Sequence, residues 1–184
     1  MKKVLVTGAG GSIGIQVIKY LLSEGKYEIT ALDLRNKNSQ KRLKKYRRRI
    51  NLIYADMNGI IPPIADIKKN ISDYIDYKGT ENIIKAMNMY NPDAYFVYAS
   101  STTIYGNVDN PNVNTKPNLT PLDYYSNTKL KIEKLIKEKV KNYVIIRLPF
   151  VLTNPKTGSF MYNVKLNSTV EAITDNDAGY LFVN

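Results

Sequence analysis

Apolar residues fall along this chain in two alternating patterns. Lys2 to Thr7 (KKVLVT) is a short apolar run that stops at glycines, the pattern of a buried strand. Ile13, Val17, Ile18, Leu21 and Leu22 then recur at helical spacing. Tyr27 to Leu34 (YEITALDL) reads as a second strand, and the polar stretch after it as a second helix. Ile50 to Ala55 (INLIYA) is a third strand, ending at Asp56. Ile64 to Tyr90 is a long helical region, with a break expected near Tyr77–Gly79. Ala94 to Ser100 (AYFVYAS) is an apolar strand that runs into hydroxyls, and Asn107 to Pro121 is a loop rich in Pro and Asn. Tyr125 to Lys141 is a helix with Leu130, Leu135 and Ile136 on its apolar side, followed by a strand from Tyr143 to Leu148 (YVIIRL). Pro149 to Asn184 is irregular and ends on a strand-like GYLFV. Strands that alternate with helices predict an α/β fold: a Rossmann-like, doubly wound parallel sheet with helices on both faces.

Composition narrows the chemistry. The 184 residues suffice for one ordinary domain with its own core. With 43% hydrophobic and 23% charged residues the chain reads as soluble and globular. No apolar run approaches the ~18 residues of a membrane span. The opening MKKVLVTGAGG is no secretory signal, because glycines interrupt its apolar stretch. A cytoplasmic protein without membrane contact is expected. There is no cysteine and no histidine. That excludes disulfides, thiolate nucleophiles, the usual zinc ligands and Ser-His-Asp hydrolysis, and no metal site is expected. Acid–base work must come from Tyr, Lys, Asp, Glu, Ser or Thr. The net charge of +11 is concentrated between Lys37 and Arg49 (KNSQKRLKKYRRR). Such a run can serve nucleic acid or an anionic surface. The plainer reading is a solvated helix, and no nucleic-acid partner is expected.

The loop Gly8-Ala9-Gly10-Gly11-Ser12-Ile13-Gly14 joins a strand to a helix. Glycines here let the chain turn tightly and let backbone N–H groups approach a phosphate at the helix N-terminus. Asp33 closes the second strand about 20 residues on, where a dinucleotide site places a carboxylate for ribose hydroxyls. This predicts NAD as cofactor. Arg35 and Lys37 are positioned to serve a 2′-phosphate, so NADP is the alternative.

Without histidine, the catalytic candidates are Ser101, Tyr125 and Lys129. Tyr125 and Lys129 lie four apart at the start of a helix and share a face. An ammonium beside a phenol is expected to favour the phenolate and to bring Tyr125 toward working pH as acid and base. Ser101 follows a strand's C-terminal end, where ligands collect in open α/β sheets. Tyr124 competes with Tyr125, but four residues beyond it stands Thr128.

Together these segments resemble the extended short-chain dehydrogenase/reductases, the group of NAD-dependent nucleotide-sugar epimerases and dehydratases. Thr7-Gly8-x-x-Gly11-x-x-Gly14 resembles that family's glycine motif, and Tyr125-Ser126-Asn127-Thr128-Lys129 its Tyr-x-x-x-Lys. Tyr98 to Gly106 (YASSTTIYG) resembles its serine segment, and Arg147-Leu148-Pro149 the strand end facing nicotinamide. The resemblance implies catalytic roles for Ser101, Tyr125 and Lys129. It implies cofactor contacts from Gly8, Gly11, Ser12, Ile13, Gly14, Asp33, Leu34, Arg35, Asp56, Met57, Tyr125, Lys129 and Pro149, with Asp56 at the adenine. It implies a small-molecule substrate, such as a nucleotide sugar, and a homodimer through the Ile64–Tyr90 and Tyr125–Lys141 helices. Residues 1–150 would bind the dinucleotide, and 151–184 would form a partial substrate lobe. Thr102 and Thr103 stand where dehydratases carry an Asp-Glu pair, which favours epimerase or dehydrogenase chemistry.

The chain departs from the family pattern in three places. A helix and strand, roughly 20–25 residues by the size of a βα unit, are expected to be missing between Met57 and Gly59. The C-terminal lobe is short. Asp76 replaces the usual asparagine before Gly79-Thr80. The gap is expected to weaken support for the nicotinamide end. A non-catalytic dinucleotide-binding module is therefore the alternative function.

Overall fold

The computed structural model describes residues 1–57, 73–106, 119–152 and 172–174. The expected gap after Met57, the Pro62–Pro63 loop, most of the Asn107–Pro121 loop and the terminal GYLFV lie outside the described residues. The chain forms two compact units, Met1–Asp56 with Phe150–Asn184, and Met57–Pro149.

In the first unit, β1 (Lys2–Thr7), α1 (Ser12–Glu24), β2 (Tyr27–Asp33), α2 (Lys37–Leu43) and β3 (Asn51–Tyr54) follow one another. The strands are parallel in the order β1-β2-β3, with Thr7 opposite Leu32 and Asp33 opposite Tyr54. This is one half of a doubly wound sheet. Helix α1 packs Ile15, Val17, Ile18 and Leu21 against Val6, Ile29 and Ala31 of the sheet. It stops at Gly25, whose φ of +68° ends a helix at no steric cost. The basic run divides into α2, a 3-10 turn at Lys44–Tyr46 and a bend. Leu43 and Tyr46 anchor it in the core while Lys41, Lys44, Lys45, Arg47 and Arg48 are exposed. Only its first part, Lys37–Leu43, is an α-helix. Its start is fixed by Asn36, which accepts from Ser39 N (2.9 Å) while Ser39 Oγ accepts from Asn36 N (3.2 Å). Within this unit the helices cover one face of the sheet; on the other, Leu5 and Ile53 stay half exposed, at 51% and 48%. A short parallel pair, β6 (Phe150–Leu152) with β7 (Ala172–Thr174), completes its described part.

The second unit contains α3 (Gly79–Tyr90), β4 (Tyr95–Ser101), α4 (Tyr124–Lys139) and β5 (Asn142–Leu148). A π-helical turn at Asp73–Lys78 leads into α3, at the break expected near Tyr77–Gly79. A 3-10 turn at Thr102–Tyr105 follows β4. Strands β4 and β5 are parallel, with Ser101 opposite Leu148. Ile84 of α3, Tyr98 of β4, and Ile132 and Ile136 of α4 form the core with Val140. Helix α4 begins one residue before the expected Tyr125. Asp123 caps it by accepting from Ser126 N at 2.6 Å.

An ion pair is built into this core. Glu133 of α4 is fully buried and accepts from Arg147 Nε (2.9 Å), Arg147 Nη2 (2.7 Å) and Ser100 Oγ (2.7 Å). Arg147 also donates to the Tyr105 hydroxyl (2.8 Å). Burial alone would raise the Glu133 pKa, but the arginine and the serine together hold it below its ordinary value. The network joins β4, the turn after it, α4 and β5. Both chain units are α/β with parallel strands, the Rossmann-like organisation implied by the alternating patterns.

Candidate active site

The glycine loop is shaped by backbone requirements. Gly8 has φ +58°, in the left-handed region. A Cβ on Gly14 would stand 2.5 Å from Gly8 O and 2.9 Å from Ala9 Cα, so the first turn of α1 presses directly on the loop. The loop holds itself through Gly11 N to Gly8 O (2.8 Å) and ties to β2 through Ala9 N to Leu32 O (3.3 Å). Gly10 N donates to Asp33 Oδ2 at 2.6 Å, while Asp33 Oδ1 accepts from Leu34 N at 2.7 Å. The predicted acid thus sits on the predicted loop. Gly11 caps α1 without a side-chain hydrogen bond, and the first turn of α1 holds no acid. Ser12, Ile13 and Gly14 occupy that first turn, where N–H groups have no partner within the helix.

Around the end of β2, Leu34 is exposed and Arg35 lies over the Tyr54 ring, 5.7 Å from its centroid. Ala55 N donates to Asp33 O (3.0 Å), which carries Asp56 to the same strand end. These features fit a dinucleotide: tight backbone approach, an uncapped helix N-terminus and a carboxylate at the ribose position.

In the second unit, Ser101, Tyr125 and Lys129 come together as expected. Ser101 ends β4, is buried, and accepts from Thr103 N (3.2 Å) and Thr103 Oγ1 (3.0 Å). Its side chain also acts to lower the Tyr125 pKa. Tyr125 is in the first turn of α4, and Lys129 Nζ lies 5.5 Å from its ring centroid. The same ammonium lies 5.1 Å from the Tyr98 ring and 3.4 Å from Ala99 O. Met57, also in this unit, accepts from Asn82 Nδ2 at 2.8 Å, and Pro149 follows β5 directly.

Two partners of this cluster were not assigned from the sequence. Asp76, in the π-helical turn, places Oδ2 at 3.5 Å from Lys129 Nζ. Tyr98 is buried under the lysine, and its hydroxyl has no hydrogen-bond partner among the described residues. They correct one expectation. The ammonium was to lower the Tyr125 pKa; instead the phenol is pushed above its ordinary value. Partial burial is the largest cause, Asp76 the second, and Asp123 adds to them, against a lowering by Ser101. Tyr98 is raised as well, by burial first and then by Asp76. The substitution at position 76 was visible in the sequence; its contact with Lys129 was not.

A parallel α/β fold that carries this glycine loop between strand and helix is the architecture of a dinucleotide-binding domain. Residues 4–159 match the NAD dependent epimerase/dehydratase family, and the chain belongs to that family. It is 23% identical, over 178 aligned positions, to D-erythronate dehydrogenase of Haemophilus influenzae. That match takes up 83% of this chain and 56% of the relative, so the chain spans little more than half the relative's length. Among solved structures, the chain is similar to the WbmH enzyme of Bordetella bronchiseptica in complex with NAD+. The TM-score is 0.77 at 18% identity, over 100% of this chain and 71% of that one. It is also similar to UDP-N-acetylglucosamine 4-epimerase of Methanobrevibacter ruminantium M1, with TM-score 0.74 at 16% identity, over 97% and 71% of the two chains. Among the described residues no helix is long and apolar enough to cross a membrane, and no cluster of acids could hold a metal.

Proposed function

We propose that this chain binds NAD and carries out epimerase or dehydrogenase chemistry on a hydroxyl-bearing small molecule, such as a nucleotide sugar. The observation that carries the reading is the convergence of Ser101, Tyr125 and Lys129 at the C-terminal end of β4 and the start of α4. When bound, the cofactor supplies hydride acceptance and return at the carbinol carbon. The chain's own residues do the rest. Gly8, Gly11, Ser12, Ile13 and Gly14 offer backbone to the pyrophosphate. Asp33 takes the ribose hydroxyls, with Leu34 and Arg35 flanking it, and Asp56 and Met57 serve the adenine side. Ser101 holds the substrate oxygen. Tyr125 moves the hydroxyl proton, Lys129 orients the phenol, and Pro149 borders the nicotinamide.

D-erythronate dehydrogenase and the sugar-nucleotide epimerases named above support a hydroxyl-bearing substrate. Residues 1–150 as the dinucleotide-binding part and 151–184 as a partial substrate lobe belong to this reading. So do a homodimer through α3 and α4 and a cytoplasmic setting. Titration calorimetry with NADH and NADPH tests the loop, with NADH binding expected and Asp33 disfavouring the 2′-phosphate. Turnover with UDP- and dTDP-sugars and with four-carbon sugar acids tests the chemistry. Tyr125→Phe is expected to lower turnover by about 10²–10⁴-fold, the usual worth of general acid–base catalysis, with NADH affinity unchanged. An unchanged rate would remove Tyr125 from the mechanism. The helix and strand expected to be missing after Met57 motivate a second reading, a dinucleotide-binding module without turnover. NADH binding with no rate on any substrate would select it.

A further inference from the structure

Lys129 meets two kinds of neighbour. On one side are the rings of Tyr98 and Tyr125; on the other is the carboxylate of Asp76, 3.5 Å away. The lysine side chain is 12% exposed and the Asp76 side chain 37%, so water screens the pair in part while the ammonium itself stays largely shielded. Without the carboxylate, an ammonium above a phenol ring would stabilise the phenolate. With it, the pair has no net charge and the phenol loses that support. We propose that Asp76 is the counter-ion of Lys129, and that this pair keeps Tyr125 in its phenol form, so that the site gives a proton more readily than it takes one.

Among the described residues, the groups that bear on Tyr125 come from three elements and the cap of α4. Asp76 comes from the π-helical turn, Asp123 from the cap of α4, Lys129 from the next turn of α4, and Tyr98 from β4. Ser101, at the end of β4, favours the phenolate, while burial and both aspartates oppose it. The chemical consequence rests on the proposed function. In the reducing direction, Tyr125 would give its proton to the substrate oxygen and be left as tyrosinate, with NADH, when bound, supplying the hydride that makes the carbonyl an alcohol. In the oxidising direction, the tyrosinate would take the hydroxyl proton, with NAD accepting the hydride. The oxidising direction is therefore expected to need alkaline pH, and Asp76→Asn is expected to shift its profile toward neutral.

The chain has no tryptophan, so its near-ultraviolet tyrosinate absorbance reports tyrosines alone. The test is a spectrophotometric pH titration of the full chain as wild type, Tyr125→Phe, Asp76→Asn, and Asp76→Asn with Tyr125→Phe. Subtracting each Phe variant from its parent isolates Tyr125. Its midpoint is expected to fall by about one unit or more in Asp76→Asn, the size of a nearby-charge effect. It is expected to stay at the wild-type value in Asp76→Glu, which keeps the charge. Circular dichroism verifies folding, and Asp76→Ser supplies the same loss of charge if the Asn variant unfolds. An unmoved midpoint on removal of the carboxylate would overturn the proposal, as would a Glu variant that shifts as far as Asn. NADH titration separates the two ideas. A wild type that binds no NADH overturns the functional reading, while the tyrosine midpoint still decides the pairing.

Discussion

The glycine loop and the Ser101–Tyr125–Lys129 cluster are made from different materials. The loop is backbone: a positive φ at Gly8, a close approach at Gly14, and N–H groups at the head of α1. Nearly all of it lies between Gly8 and Gly14, with Asp33 as the one distant member. The cluster is side chain, drawn from β4, α4 and the turn before α3, and its behaviour depends on which charges cancel. A site made of backbone is sensitive to added volume and insensitive to pH. A site made of charged side chains tolerates changes in shape but shifts with each change of charge. The contrast is chemical, and each of its halves can be broken separately.

The largest effect is expected beneath the cluster. Glu133→Ala strips the part-buried Arg147 of its partner and leaves the buried Ser100 Oγ without its acceptor. Breaking a buried pair from one side costs about 3–5 kcal/mol. Urea unfolding at neutral pH reads this directly, and a variant as stable as wild type would remove the network from the account of this core. The effect is expected to depend on pH. Because the folded Glu133 pKa lies below its ordinary value of 4.5, its contribution is complete above that pH. It is lost as pH falls through the folded value. Wild type and Glu133→Ala are therefore expected to converge in acid.

The loop is expected to answer to volume. Gly14→Ala places a Cβ against Gly8 O and Ala9, both backbone. Forced overpacking of this kind costs about 1–3 kcal/mol. Here it also displaces the N–H groups that would meet a phosphate. Thermal unfolding and NADH calorimetry on the same variant are expected to show a modest loss of stability with a loss of binding of tenfold or more. The stability loss is expected to be constant from pH 5 to 8. Undiminished NADH binding would mean that the dinucleotide does not rest on this loop.

The contrast also explains how much was legible beforehand. Strand–loop–helix order, apolar spacing and glycine placement are local properties, so β1, the loop, α1 and β2 follow from contiguous residues. The break before α3 was legible for the same reason, at Gly79. Ser101, Tyr125 and Lys129 could be picked out because two of them share a helix and the third ends a strand. What was not legible is pairing across long separations. Asp76 and Lys129 lie on different elements, and only the fold brings them to 3.5 Å. Nothing in the sequence singles out Glu133. Its burial follows from Arg147, on the following strand, and Ser100, on β4. The sign of the Tyr125 shift was misjudged because the lysine was visible four residues away, whereas neither the partial burial of the phenol, the largest cause, nor the approach of Asp76 was.

The smallest effect is expected at the head of α4, and it bears on both halves of the comparison. Helix α1 starts without a side-chain cap, whereas α4 starts with the Asp123 carboxylate on Ser126 N. The chain thus closes one helix N-terminus with its own anion and leaves the other open, as a phosphate site at α1 requires. Asp123→Ala is expected to cost about 1 kcal/mol, the usual worth of an N-cap. The Ser126 contact holds the Asp123 pKa below its ordinary value of 3.8, so this loss is present at neutral pH and fades only in strong acid. Asp123→Asn keeps the cap and removes the charge. Because Asp123 is also a minor cause of the raised Tyr125 pKa, the Asn variant is expected to lower the tyrosine midpoint, but by less than Asp76→Asn does. If the two variants shifted Tyr125 equally, Asp76 would act as one of several nearby charges. A clear ranking of Asp76 over Asp123 would show that contact with Lys129 makes the difference.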